Sequence, residues 1–409
     1  MTESQYDIAI VGAGIVGLAV TRELALQHPG LRLVVIDREA TVGAHQTSHN
    51  SGVIHSGIYY QPDSLKARLC VEGSRLMYEY AEAHEIPFER CGKLIVAVDE
   101  TQIPALDELE RRGIANGVPG LRRLSADEIR DVEPEARGIA ALHSPNTGII
   151  DYGAVALALE AELREKGVDF RLGQRVKHVD ATAERVTLTT SSEVIIARLL
   201  VTCAGLWSDR IAVAAGAPKD PRIVPFRGGY LEVKPSDTPV LRGLVYPVPD
   251  PDLPFLGVHV SKHIDGSVSL GPTALLVLAR DAYKITRFRF RDVLDIALWP
   301  GTWRLARHYW KTAITEVLMA ASPHRFVRAG AVYVPIVERL GIVGSLKSGV
   351  RAQALGRDGR LVDDFVISET PGAFHVRNAP SPAATSSLAL GRYLAERVAS
   401  SAAWGRLGG

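Results

Sequence analysis

The chain has 409 residues, with 47 Lys and Arg against 46 Asp and Glu, a formal charge of +1. That length exceeds one ordinary core and favours two joined domains, while the balanced charge excludes any overall pull toward nucleic acid. The three cysteines, Cys70, Cys91 and Cys203, are far apart and lack C-x-x-C spacing, so neither a disulfide framework nor a thiolate metal site is expected, and a reducing, cytoplasmic setting is.

The N-terminus shows no leader pattern, and no apolar run approaches the ~18 residues of a spanning helix. Ile8–Val11 is a short β-branched run, Gly12, Gly14 and Gly17 spell G-x-G-x-x-G, Ile15–Leu26 has helical apolar spacing, and Leu31–Ile36 is an apolar strand ending at Asp37. Strand, glycine turn, helix, strand and acid together predict a doubly wound dinucleotide-binding unit. The first glycine makes the turn, the second admits a pyrophosphate and the third lets helix and strand approach; Asp37 takes the ribose hydroxyls. Arg38, directly after an acid, is expected as a solvated or adenine-edge residue rather than a 2′-phosphate ligand.

The loop that follows, "HNSGVIHSGIYYQPDSLKARLCVEG" from His49 to Gly73, packs histidines, glycines and two tyrosines ahead of a helix. Asp63 or Ser64 should cap that helix, with Leu65, Leu69 and Leu76 inward and Lys66 and Arg68 at a rim. His45 and His49 have i, i+4 spacing, yet Thr, Ser, Asn and Gly disfavour a helix there and no carboxylate or thiolate completes a set, so no metal is expected.

Glu72–Lys93 and Thr101–Glu135 read as helical patterns, the second containing the capped "SADEIRDVEP". Short strands fill Val168–Gly205; the strand Leu199–Thr202 breaks into Ala204 and Gly205 before a helix, as at an edge of a dinucleotide domain. Arg222–Gly271 is strand-rich, as a substrate-covering antiparallel sheet would be. In Asp281–Ser322, after Pro300 and Gly301, a helix over 302–320 puts Trp303, Ala306, Trp310, Ile314 and Val317 on one face beside Arg304, Arg307, His308 and Lys311. Tryptophan with flanking cations on an apolar face suits a peripheral membrane contact on the inner face of the cell membrane; packing on the substrate domain is the alternative. Near the C-terminus, Ser381 as cap and Pro382 in the first turn predict a helix to about Val398 whose dipole would stabilise charge on a reduced flavin.

The motifs "GAGIVG", "HQTSHNSGVIHSGIYYQPDSLKARLCVEG", "CGKLIVA", "PFRGGYL", "YPVPDPDLPFLGVHVSKHIDGSVSLGP", "SGVRAQAL", "LVDDF" and "NAPSPAATSS" together resemble the FAD-dependent oxidoreductases of the D-amino-acid oxidase superfamily, and within it the L-2-hydroxyglutarate dehydrogenases (oxidases). The resemblance implies an α/β fold: a discontinuous Rossmann-like FAD domain from 1–80, 150–215 and 348–409, and an antiparallel-sheet substrate domain with helices from 81–149 and 216–347. It implies FAD held without a covalent bond by Gly12, Gly14, Ile15, Val16, Gly17, Asp37 and Arg38, by Thr47, Ser48, Asn50, Ser51, Gly52 and Val53, by Ala204 and Gly205, and by Ser381, Pro382, Ala383, Ala384 and Thr385. Asp37 stands where many relatives carry glutamate.

Oxidising a 2-hydroxy acid on flavin needs a base for the hydroxyl proton and cations for the carboxylates. His55 and His259 are the candidate bases, and Arg227, Arg351 and Lys262, with Tyr60 and Tyr246, the candidate substrate contacts. The electrons would pass to a quinone or another acceptor. An amine-oxidising flavoenzyme of the same superfamily and a non-catalytic flavin-binding membrane scaffold are the alternative readings.

Overall fold

The computed structural model describes residues 3–234, 241–250, 257–345, 348–401 and 403–406. Residues 251–256, inside the motif that precedes His259, and 346–347, at the expected domain boundary, lie outside them.

The strand Glu3–Val11 pairs in parallel with Leu33–Ile36 on one side and Val194–Thr202 on the other. Around these, an eight-stranded sheet gathers Asp169–Arg171 beyond Leu33–Ile36, the hairpin His178–Ala181 and Val186–Thr189 beyond Val194–Thr202, and the C-terminal strands Val366–Thr370 and Ala373–Asn378. Distant stretches of chain therefore build one nucleotide-binding sheet. The helix Ile15–Gln27 runs from its glycine turn across this sheet and packs on the helix Ser387–Ala399. Gly391 sets their closeness, since a Cβ there would lie 2.7 Å from the Ala19 carbonyl carbon. Ile8, Ile10, Leu18, Leu24, Leu390 and Leu394 fill the shared core and are fully buried.

A second eight-stranded sheet runs in the order Ile342–Ser345, Leu231–Val233, Val268–Gly271, His259–Lys262, Leu244–Pro247, Lys93–Ala97, Ala140–Ser144, Arg122–Ser125. Two small sheets complete the fold: Leu275–Leu276 with Arg222–Gly228 and Gly349–Leu355, and Val53–Ile54 with Gly148–Ile150 and Phe88–Glu89. Buried Arg280 donates to the Leu206 carbonyl at 2.6 Å and to Asp209 Oδ2 at 2.8 Å, which ties the segment after Leu276 to the turn at 205–207.

Several sequence expectations shift. The helix at 65 spans Leu65–Ala83, with Ser64 capping through its hydroxyl; Glu85 at φ 53° and Pro87 end it, so the strand Phe88–Glu89 replaces the expected helical continuation. The strand Arg122–Ser125 likewise divides the helices Ile103–Ala115 and Ala126–Val132. The C-terminal helix begins at Ser387, not at Ser381. Pro382 disfavours helical geometry at the residue before it, and 381–385 form turns in which Ala383 donates to the Pro380 carbonyl and Ser386 to that of Pro382.

The helix Pro300–Ala321 packs through Gly301, Thr302 and Leu305, which are buried. The face with Trp303, Trp310, Ile314 and Val317 points outward, and Trp303 is 66 % exposed. Among the described residues no helix is long and apolar enough to cross a membrane.

Candidate functional site

A cavity of about 740 Å³ runs from Asp37 and Arg38, past Gly12, Gly14 and Thr47, to His55, Tyr59, Tyr60 and Arg351. Its first half follows from the glycine turn. Gly12 sits at φ +117°, and a Cβ there would meet the Cys203 carbonyl oxygen at 2.3 Å; one on Gly17 would meet the Gly12 carbonyl at 1.9 Å. Gly14 is different: its Cβ would contact only Thr47 Oγ1, at 3.4 Å, and would project into the cavity. The middle glycine thus leaves room for a pyrophosphate at the start of a helix, where amides and dipole favour anions. Thr47 Oγ1 accepts from the Ile15 amide at 3.0 Å and fixes the loop to that helix end.

Asp37 accepts the Ala13 amide at 2.8 Å on one oxygen and the Glu39 amide at 2.9 Å on the other. A carboxylate has about four acceptor positions, which leaves capacity for a ribose hydroxyl pair. Arg38 stacks 3.7 Å from the Trp207 ring and is paired with Glu39 at 2.7 Å, so it forms part of the wall rather than an isolated phosphate ligand. His45, from the histidine loop, lines this end too, as do Trp207 and Gln174–Lys177; nothing local in the sequence marked the latter two, because they arrive from separate turns.

Along the middle, Val16, Asn50, Ser51, Val53, Ala204 and Gly205 line the cavity as expected, as do Ser381, Pro382, Ala383, Ala384 and Thr385. Ser48 and Gly52 do not. Ser48 Oγ lies against Gly153, and a Cβ on Gly52 would meet the Ile150 carbonyl at 2.8 Å, so these two shape the loop and leave the contact to their neighbours. Thr385 clamps loop and C-terminus together: its hydroxyl accepts the His55 amide at 3.1 Å, donates to the Val53 carbonyl at 3.2 Å and meets the Tyr152 hydroxyl at 3.0 Å.

The far end gathers the buried titratable groups. Among the described residues, His55 Nδ1 and the Tyr59 hydroxyl are buried there without a hydrogen-bond partner, as is His259 Nε2 behind that wall. Buried polar atoms are normally satisfied, and the two of these that line the cavity end, His55 Nδ1 and the Tyr59 hydroxyl, mark a place for a polar ligand. His259 Nδ1 lies 3.0 Å from the Gly257 carbonyl. That nitrogen must carry the hydrogen, so Nε2 is the lone-pair side. Burial, followed by the charges of Lys93, His259 and Lys66, holds His55 well below its ordinary pKa. Burial, against a smaller upward pull from the Gly257 carbonyl, pushes His259 down to about 3. Both rings are therefore neutral near pH 7 and able to accept a proton.

The expected substrate contacts separate. Arg351 lines the cavity and lies in the strand Gly349–Leu355, not in a turn as its flanking glycines suggested. It pairs with Phe226 while Arg227 pairs with Val350. Paired residues share a face and successive ones alternate, so the two arginines point to opposite sides of their sheet and cannot hold the same molecule. Arg227 Nε donates to the Tyr283 carbonyl at 3.1 Å instead. Lys262 is taken by Glu89 at 2.6 Å, on the opposite strand face from His259. Tyr246 is 1 % exposed and stacks on His259, so it supports an imidazole from behind while Tyr60 lines the wall.

At this end of the cavity, Tyr230 and Lys66 are among the residues that sequence reading placed elsewhere or did not mark. Tyr230 joins the wall near Arg351. Lys66, expected at a rim, is 7 % exposed and binds the Asp363 carboxylate at 2.8 Å beneath the Tyr60 ring. Its spacing with Cys70, Gly73 and Met77, all on the buried face of their helix, was the signal. Arg68 is exposed, as a rim charge should be. Among the described residues no group of three His, Cys, Asp or Glu is placed to hold a metal.

The buried histidines also couple stability to pH. His259 at about 3 and His375 at about 4, the latter buried between the Thr202 and Thr370 hydroxyls, bind fewer protons folded than unfolded below the ordinary value of 6.5. Their contribution is complete above 6.5 and is lost as pH falls through the folded values. The urea midpoint of the protein is expected to drop steadily from pH 6.5 toward 4, and a flat profile would contradict their burial.

The FAD dependent oxidoreductase family model matches residues 7–397. The chain is 45 % identical to the mitochondrial L-2-hydroxyglutarate dehydrogenase of Nematostella vectensis, covering 96 % of this chain and 90 % of that one. It is also 45 % identical to the human enzyme of the same name, over 97 % and 89 %, and 40 % identical to the L-2-hydroxyglutarate dehydrogenase of Indibacter alkaliphilus, over 96 % and 98 %. Among solved structures, FAD-bound L-α-glycerophosphate oxidase from Mycoplasma pneumoniae superposes with a TM-score of 0.76 at 24 % identity, over 99 % of this chain and 94 % of that one. Glycine oxidase from Geobacillus kaustophilus does so at 0.72 and 20 %, over 96 % and 95 %. The glycine cradle, the acid and the clamped loop fit the group that this family binds, and FAD is the cofactor. By its sequence and its fold the chain belongs to the FAD-dependent oxidoreductase family.

Proposed function

We propose that the protein oxidises L-2-hydroxyglutarate to 2-oxoglutarate and passes the electrons to a quinone. The observation that carries the reaction is the end of the cavity, where a neutral histidine with an unpaired ring nitrogen stands in the same wall as Arg351. Bound FAD supplies the two-electron acceptor. The protein's own part is to hold a carboxylate on Arg351, take the hydroxyl proton on an imidazole, and enclose both among Tyr59, Tyr60 and Tyr230 so that water is excluded. Relatives at 40–45 % identity named for L-2-hydroxyglutarate support this substrate. The amine-oxidising alternative draws on solved structures at 16–20 % identity, which share the fold alone. With a soluble quinone analogue, the purified protein should form 2-oxoglutarate from the L enantiomer and not from the D; turnover of glycine or sarcosine in its place would move it to the amine-oxidising branch.

The membrane contact rests on the outward face of the helix Pro300–Ala321. Trp303, Trp310, Ile314 and Val317 are all exposed there, with Arg304, Arg307 and Lys311 beside them. An apolar face with tryptophan and flanking cations fits an anionic bilayer surface on the cytoplasmic side, where a lipid-soluble quinone is at hand. Each cation near such a surface contributes about 1 kcal/mol. Reversing Arg304, Arg307 and Lys311 to Glu should therefore weaken binding to anionic vesicles by about two orders of magnitude or more. Vesicle binding that ignores the reversal would remove the membrane from the proposal.

A further inference from the structure

Lys93 opens the strand Lys93–Ala97, which runs parallel to its neighbour Leu244–Pro247 inside the second eight-stranded sheet, and is 2 % exposed. Its ammonium lies 4.7 Å from the ring centroid of Tyr59 and 4.7 Å from that of Tyr246. Tyr246 in turn stacks on His259, with centroids 3.8 Å apart and planes 15° from parallel. The register explains the row. Lys93 pairs with Leu244, two residues before Tyr246 and on the same face, and Val245 pairs with Val260, which sets Tyr246 opposite His259. Three neighbouring strands thus carry a cation, an aromatic ring and an imidazole side by side, under the loop that bears His55 and Tyr59.

A buried ammonium is costly unless something compensates it. Among the described residues no carboxylate forms an ion pair with Lys93, and two aromatic faces are what stabilises it. Burial brings it down to about 8, so it keeps its proton at neutral pH. A position that needed only bulk would carry Leu or Met.

We propose that Lys93 is a positioning residue for the oxidation: a fixed cation, one ring away from His259 and beneath His55, that adds to burial in holding both imidazoles in their proton-accepting form. This rests on the reading that a histidine accepts the hydroxyl proton of the substrate. His259 is faced by Tyr246 and Lys93 from the adjacent strands, by Arg351 from the strand Gly349–Leu355 and by His263 from beyond its own strand. His55 is faced by Lys93, by His259 and, from the helix Leu65–Ala83, by Lys66. The charged groups acting on both rings are cations, and Lys66 is largely cancelled by Asp363 at 2.8 Å. A substrate with two carboxylates would raise the imidazole pKa values as it binds. Lys93 opposes that rise from a depth at which the substrate does not quench it, and it exchanges no proton itself.

The test is the pH profile of kcat/KM for L-2-hydroxyglutarate in holoenzyme carrying Lys93→Met, Lys93→Gln or Lys93→Arg. Removing a unit charge several ångströms away, at an effective dielectric of about 20, should move the acidic limb up by roughly one pH unit. Lys93→Arg should keep the limb near its original place. An unmoved limb in a yellow Met or Gln variant, whatever its kcat, overturns the proposal. If neither neutral variant retains flavin, histidine-labelled Lys93→Met and wild type, both free of flavin, decide: the His55 and His259 protonation midpoints should lie about one pH unit higher in the variant, and equal midpoints overturn the proposal. Wild-type protein that L-2-hydroxyglutarate does not reduce at all would defeat the functional reading, which is a separate failure from a limb that does not move.

Discussion

Replacing Arg351 by alanine is expected to lower kcat/KM for L-2-hydroxyglutarate by roughly thirty- to several-thousand-fold while the protein stays yellow. Removing one partner of a desolvated, hydrogen-bonded charge pair costs about 2–5 kcal/mol, and each 1.4 kcal/mol is about a factor of ten. The loss should fall mainly on KM if the guanidinium holds ground state and transition state alike, and on kcat if it aligns the reacting carbon. Arg351→Lys should recover only part, because an ammonium cannot reproduce the bidentate fork. Arg227→Ala is the control that the strand register supplies. Arg227 pairs with Val350 and points to the other side of the sheet, so its loss should change kcat/KM only a few-fold. Equal losses at both arginines would contradict the register-based separation.

The second large effect concerns His55. His55→Asn removes the proton acceptor from the cavity wall, and loss of a positioned general base typically costs 10²- to 10⁴-fold. The rate of flavin reduction by substrate should fall by that factor with little change in bound flavin, because the loop is held through the His55 amide and Thr385 rather than through the ring. His259→Asn should cost less, since that ring lies behind the wall against Tyr246. Stopped-flow reduction of the two variants separates the roles. A larger loss at His259 would make it the base and His55 its neighbour. The sign of the pH dependence follows from burial: an imidazole held below its ordinary pKa is already unprotonated at pH 7, so activity should survive mild acidification and fail only well below the usual histidine range.

The part of the fold that local chemistry dictates was legible in the sequence. Each glycine of the turn does what its place in G-x-G-x-x-G implies, and of the three only Gly14 has room for a Cβ without a close clash, because strand, turn and helix are specified within some thirty residues. Ser64 and the Ser125–Glu128 pair cap their helices as the sequence predicts. What was not legible depends on contacts between strands far apart in the chain. Flanking glycines made Arg227 and Arg351 look equivalent, and only the pairing of Phe226 with Arg351 shows that they diverge. Lys93, Tyr246 and His259 form one row across three strands, and no local pattern joins them, although a lysine leading the apolar run "LIVA" was itself a signal. Charge misled at Lys66, where a helical face shared with buried Gly73 and Met77 outweighed the habit of placing lysines outside. Periodicity identified the Trp303–Val317 face but not its direction. Leu305 and its buried neighbours hold the helix on the protein, so the tryptophans face out.

The most direct test of the central claim is anaerobic mixing of the purified yellow protein with L-2-hydroxyglutarate, glycine, sarcosine and D-amino acids in turn. A histidine base and Arg351 at the flavin end of the cavity predict rapid bleaching by L-2-hydroxyglutarate alone, with one equivalent of 2-oxoglutarate formed per flavin. Flavin that stays yellow with L-2-hydroxyglutarate and bleaches with an amine would contradict it.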